Sequence, residues 1–255
     1  MTKRLLMVVL AMIFAGSCAQ NTQSLVILQN QVPSSSGGVC SVPAAPTTEY
    51  RGQGTLDLKV YRTFPGLGLP GYFLYPVVQN NLSDSVMGTP SGAPAASFNI
   101  ELTRADVTVV DGRTSRTIGQ PFSVPWFKLL AAGATASMAV EAIPRSTVDR
   151  YLAGELTLPA NDWLMAKVTF VGNRDGAEIK SNEMQFAVKV CDGCLLQDMG
   201  SCYTFTGTGT INECNMAQDE PAICCELNGS LICPAQSATQ QDAGTPDAGT
   251  PDAGP

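Results

Sequence analysis

Apolar positions recur along the chain with a period of two far more often than with the period of a helix. Phe98-Asn99-Ile100-Glu101-Leu102 alternates, Val107–Val110 follows after a break, and Leu56-Asp57-Leu58-Lys59-Val60-Tyr61 alternates strictly. Residues two apart share a face of a strand, so these stretches predict strands with one buried and one wet face. Ser24–Leu28 is a short apolar run, and Thr135–Ile143 alternates weakly. Tyr72–Val78 is aromatic and β-branched, and Pro76 within it predicts an edge or a bulge. Trp163–Val171 and Met184–Val190 form the clearest pair, with Asp175-Gly176 between them as a hairpin signal. One short helix is expected at Ser146–Ala153, with Ser146 as its cap and Gly154 at its end.

About eight or nine short strands spaced by Gly/Pro turns predict a mainly β chain. Over 24–190 the expectation is an antiparallel β-sandwich, immunoglobulin-like or fibronectin-like. The stretch Gln29–Tyr50 carries Ser34-Ser35-Ser36-Gly37-Gly38 and several prolines, and is expected as a long loop that contains Cys40. GTPSGAP at Gly88–Pro94 is expected as an exposed connection.

From Cys191 the pattern changes. Cys191, Cys194, Cys202, Cys214, Cys224, Cys225 and Cys233 crowd into a segment with few large apolar residues, which predicts a small disulfide module at 191–234. Seven cannot pair among themselves, so Cys40 is expected to cross to the module, with Cys191 or Cys194 as the preferred partner. Adjacent Cys224 and Cys225 are expected to take different partners. The C-x-x-C pair also raises zinc and redox readings. The chain has no His, there is a single C-x-x-C, and a Gly-rich stretch follows it where a redox helix would stand, so neither is preferred.

The N-terminus tells where such cysteines would oxidise. Lys3 and Arg4 precede an unbroken apolar run, Leu5–Phe14, and small residues Ala15-Gly16-Ser17 follow. The run is too short to anchor across a bilayer and reads as an export signal over 1–17. The small residues end on Cys18, and the stretch resembles the lipobox of bacterial lipoproteins, with Ala15 where that family usually has Leu. The resemblance implies cleavage before Cys18, acylation of Cys18, and a tether at 18–23. Ala19, in place of the Asp that retains lipoproteins in the inner membrane, implies the cell outer membrane. The alternative is a secreted chain cut after Ala19, between small residues at Ser17 and Ala19.

The other end, from Ala235 to Pro255, repeats Asp-Ala-Gly-Thr-Pro and carries nothing apolar larger than Ala beyond its start. Such a segment cannot offset its ordering entropy and is expected as a disordered tail. It is similar in composition to tails of secreted and lipid-anchored proteins from myxobacteria.

Charge and composition then narrow the chemistry. Formal net charge is −7, which argues against nucleic acid as a partner. Without His the usual nucleophilic triads lack their base. Gly66-Leu67-Gly68-Leu69-Pro70-Gly71 matches a dinucleotide fingerprint in letters only, because a strand rather than a helix follows it. Glu101, Asp106, Asp149, Glu155, Asp162, Glu178 and Glu183 are scattered and suit solvated faces better than a paired-carboxylate site. Trp126, Trp163, Tyr72 and Tyr75 could build a sugar-stacking platform, although core packing is preferred. The expectation is therefore a non-enzymatic, lipid-anchored envelope protein without a cofactor or metal, held to the membrane by its N-terminal lipid. Its partner would be an envelope protein or a glycan. The alternatives are a carbohydrate-binding envelope lipoprotein and, less favoured, an envelope hydrolase.

Overall fold

The computed structural model describes residues 23–36, 39–65, 68–82, 98–157, 163–207, 213–215 and 217–233. The signal 1–17, Cys18, Gly66 and Leu67, the Gly88–Pro94 loop and the tail 235–255 lie outside the described residues.

The chain begins with β1 (Leu25–Asn30), a small hairpin β2 (Ser34–Ser36) and β3 (Val39–Ser41), then β4 (Gln53–Asp57) and helix α1 (Leu58–Thr63). It continues through β5 (Tyr72–Leu74), β6 (Pro76–Asn80), β7 (Ile100–Asp111), β8 (Phe122–Leu130), β9 (Thr135–Ser137) and β10 (Val140–Ile143). Helix α2 (Arg145–Leu152) precedes β11 (Trp163–Arg174), β12 (Ala177–Lys180) and β13 (Met184–Cys191). The cysteine-rich end adds β14 (Leu196–Ser201), a 3-10 turn at Glu213–Asn215, β15 (Ala222–Leu227) and β16 (Ser230–Ile232).

The architecture is mainly β and is organised by one curled sheet, in the order β4-β13-β11-β7-β8, with β12 folded back on β11. Alternation explains its central strands. Leu164, Ala166, Val168 and Phe170 of β11 are buried, and the residues between them are not. In register they meet Asp111, Val109, Val107 and Ala105 of β7. Smaller sheets, β1-β6-β9 and β5-β10, contribute Leu25, Leu74, Val78, Val140 and Ala142 to the same core. Trp126 meets Phe170 edge to face, with ring centroids 6.2 Å apart.

Five features in particular differ from the sequence expectation. The stretch Leu56–Tyr61 is not one strand: β4 ends at Asp57 and α1 begins at once. The Asp57 carboxylate accepts the N–H of Lys59, which caps the helix, and neighbouring Val60 and Tyr61 are both buried, as a half-buried strand would not allow. Ser146 is not the cap of α2. Pro144 holds that position without a side-chain bond, and Ser146 lies inside the helix. Residues 100–111, expected as two pieces, form one strand. β8 is not expected from the sequence, because Pro125 stands amid the alternation of Phe122, Val124 and Trp126, and Phe127-Lys128-Leu129-Leu130 then breaks the period. It is an edge strand, paired only with β7, where Pro is tolerated. Finally, the pairing is not purely antiparallel. β4 runs parallel to β13 and β14 parallel to β15, and both pairs are joined through long connections rather than hairpins.

Candidate functional site

All eight cysteines of the described residues stand at disulfide distance in four pairs: Cys40–Cys214, Cys191–Cys194, Cys202–Cys225 and Cys224–Cys233. Cys40 does cross to the cysteine-rich segment, but its partner is Cys214 and not Cys191 or Cys194, which face each other across their own two-residue loop. The β2–β3 hairpin presents Cys40 to the 3-10 turn that carries Cys214, with Cα atoms 5.5 Å apart. Cys224 and Cys225 point to different partners because successive side chains of β15 leave opposite faces.

The seam between the curled sheet and the cysteine segment is built on two aspartates that the sequence reading passed over. Asp57 is completely buried. Besides capping α1, its carboxylate accepts the N–H of Gly193 at 2.6 Å and of Leu195 at 2.7 Å, so one side chain fixes both a helix start and the C-x-x-C loop. Lys59 lies along Gly193, and Arg62 of α1 pairs with Asp192 on the surface. The carboxylate of Asp57 and the sulfurs of Cys191 and Cys194 lie within 4.8 Å of one another. With the sulfurs bonded to each other and both carboxylate oxygens held by backbone N–H groups, this trio works as a clamp.

The second aspartate, Asp219, sits on a short strap, 217–220, that lies across β4 and β5. Its carboxylate accepts the N–H of Thr55 at 2.7 Å and the Tyr72 hydroxyl at 2.8 Å, and it pairs with Arg51 at 2.8 Å. Gln218 accepts the N–H of Phe73, and Asp57 N–H donates to the Ala217 carbonyl. Ala217 and Asp219 both adopt left-handed backbone, at φ 67° and 66°, a conformation that disfavours residues with a Cβ. The bonds around them hold it in place. Gly54 leaves the room: a Cβ there would strike the Tyr72 hydroxyl and come within 2.7 Å of the Asp219 carboxylate. Burial pushes Asp219 above the usual carboxylate range, and the Thr55 N–H and the Arg51 charge oppose that shift without cancelling it. Burial, and then the neighbouring Asp219, raise Tyr72 well above an ordinary tyrosine.

The other sequence candidates are not brought together. Tyr72 is buried, Trp126 packs against the core, and Tyr75 is half-buried with its hydroxyl on the Cys214 carbonyl, so the four aromatics share no open face. Trp163, expected in the core, is 36% exposed at the start of β11, opposite Lys189. Most of the scattered carboxylates stand in surface ion pairs, Asp106 and Glu178 on Arg104, Asp149 on Arg145, Glu155 on Arg150 and Glu183 near Lys167, and Glu101 is exposed on β7. Asp162 lies outside the described residues.

No protein-family model matches the chain, and no curated protein matches it. What fold and seam define is a class by construction: a mainly β protein whose C-terminal segment is fastened by paired cysteines and two buried aspartates.

Proposed function

We propose that this chain is a non-enzymatic, lipid-anchored protein of the cell envelope, a β-sandwich body with a binding or structural role. The observation that carries the reading is the cysteine count. Four pairs account for eight of the nine cysteines, and the ninth is Cys18, at the end of the export signal. Paired cysteines suit an oxidising compartment, and an acylated Cys18 would anchor the chain, each buried CH₂ contributing about 0.8 kcal/mol. The core shared by the curled sheet and the smaller sheets supports the sandwich body. No helix of the described residues is long and apolar enough to cross a membrane, so the lipid is the anchor this reading needs.

The test is growth with labelled palmitate followed by fractionation. Label in the wild-type chain, absent from Cys18→Ser, supports the reading. Label that persists in the variant, or a wild-type chain released unlabelled into the medium, defeats it.

A further inference from the structure

We propose that the Cys191–Cys194 bridge is a thiol-exchange site, at which an external thiol forms a mixed disulfide with Cys194 and buried Cys191 resolves it. The proposal rests on the export reading only for its resting state, the closed disulfide. The two sulfurs differ in access. Cys194 is exposed, whereas Cys191 is 3% exposed at the end of β13, so an incoming thiolate reaches Cys194. Cys202, Cys224 and Cys225 are completely buried, and Cys233 is half-buried. The bridge also contributes little as a staple. It closes a sequence separation of 3, against 174 for Cys40–Cys214, and the shortest loop adds least to stability in the chain-entropy model. Its loop is already pinned by the Asp57 carboxylate through the N–H groups of Gly193 and Leu195. The bridge can therefore open while the fold holds. Cys40 is exposed too, but once its bridge opens the two thiols belong to separate segments that no shared side chain clamps.

The exchange balances as follows. The external thiolate bonds to Cys194 Sγ, the bond to Cys191 breaks, and Cys191 leaves with the electron pair and takes up a proton. From this mixed disulfide the site can close or go on. In closing, the Cys191 thiol gives up its proton, its thiolate attacks Cys194 Sγ, and the external thiolate departs. In going on, a second external thiolate attacks the external sulfur, which releases an external disulfide and leaves Cys191 and Cys194 as a dithiol. Two electrons then pass from the external thiols to the bridge. Closing is favoured because the loop keeps its shape when open. Asp57 still holds its two amides, Arg62 still pairs with Asp192, and Gly193 supplies the left-handed backbone, at φ 88°. Asp57 is thus a positioning residue for the exchange, with its carboxylate within 4.8 Å of both sulfurs. Lys59 lies along Gly193, so Lys59 and Arg62 place two cations beside the Asp192 carboxylate at the loop and draw a thiolate toward it.

The experiment is graded reduction of the full oxidised chain with dithiothreitol, followed by alkylation and location of each labelled cysteine by peptide mass. Cys191 and Cys194 should become labelled together at reductant levels that leave Cys202–Cys225 and Cys224–Cys233 closed and the melting transition cooperative. Cys191→Ser leaves Cys194 without its resolving partner. With oxidised glutathione this variant should be trapped as a mixed disulfide at least about tenfold faster than Cys194→Ser, because access controls the attack. The reduced wild-type chain, given the same glutathione, should instead end with the bridge closed. Asp57→Asn, which loosens the two amides, should leave several-fold more of the chain as mixed disulfide, and the two cysteine variants serve if it does not fold. A bridge that stays closed until the buried pairs open, loss of the fold on opening it, or equal trapping of the two cysteine variants would overturn the proposal. Palmitate labelling is read separately, so a labelled chain whose Cys191–Cys194 bridge does not exchange defeats this inference and leaves the envelope reading standing.

Discussion

Phe170 and Cys225 are both fully buried, but their surroundings have little in common. Phe170 sits among buried aliphatic side chains from the curled sheet and the smaller sheets, with Trp126 against its ring. Cys225 has one buried neighbour of its cluster, Cys202, and a fringe of half-buried Phe205, Ile223, Leu227 and Ile232. The first region is held by apolar area removed from water. The second has too little of it, and is held instead by covalent bonds and by polar groups of the first, through Asp57 and through the strap that carries Asp219. Small units commonly need such staples. Here the staples are of two kinds, and they are expected to fail under different challenges.

The largest effect should come from opening the longest link. Cys40–Cys214 closes a sequence separation of 174 residues. The double variant Cys40→Ser/Cys214→Ser is expected to lose up to about 5 kcal/mol by the chain-entropy model, read by urea unfolding. Stability within about 1 kcal/mol of wild type would show that the link adds little to what the strap already does. Phe170→Ala comes next, at roughly 3–5 kcal/mol, because it empties the centre of the core. Leu227→Ala, on the fringe of the second region, should cost about 1 kcal/mol or less. Equal losses at the two positions would erase the contrast between the regions.

Asp57→Asn should follow, at about 2–3 kcal/mol, since an amide N–H₂ must then face one of three backbone donors. Hydrogen exchange should quicken at Gly193 and Leu195 while β11 stays protected. Unchanged exchange at those two amides would remove the clamp from the account. Asp219 gives the smallest effect, seen as a slope. Its folded pKa is raised by burial above the unfolded value of about 3.9, so its contribution is present below that value and lost as pH rises through the folded pKa. The stability of wild type relative to Asp219→Asn should therefore fall across the carboxylate range and then level off. An opposite slope would mean that Arg51 outweighs burial.

The parts of the fold legible in the sequence are those where one residue's burial is decided by the strand it belongs to. β11 and β13 alternate cleanly, and Asp175-Gly176 turns the chain between β11 and β12 as its residue types require, with Asp175 at φ 51° and Gly176 at 82°. Where burial is decided by a distant partner, the pattern misleads. Leu56–Tyr61 spells a strand, but the Asp57 carboxylate is held by a loop 136 residues away and caps a helix instead. β8 stays hidden because Pro125 stands amid the alternation of Phe122, Val124 and Trp126, a position that an edge strand tolerates. The crossing of Cys40 followed from parity alone. Its partner did not, because the β2–β3 hairpin and the 3-10 turn that bring Cys40 to Cys214 leave no periodic trace. Asp57 and Asp219 look like any other acid in the sequence. Their roles depend on backbone N–H groups that only the tertiary fold aims at them.

The Cys40–Cys214 bond also sets a mechanical path through the molecule. A pull between the two ends of the chain travels along the backbone to Cys40, crosses the sulfur bridge to Cys214, and continues toward the C-terminus. Everything from 41 to 213 hangs on that path as a side loop that carries no tension. The segments left on the path are β1 and β2, before Cys40, and the strap 217–220 with the start of β15, after Cys214, and these would be peeled away first. A body tethered at one end and tugged at the other would thus keep β4 through β13 under no load while the bridge holds.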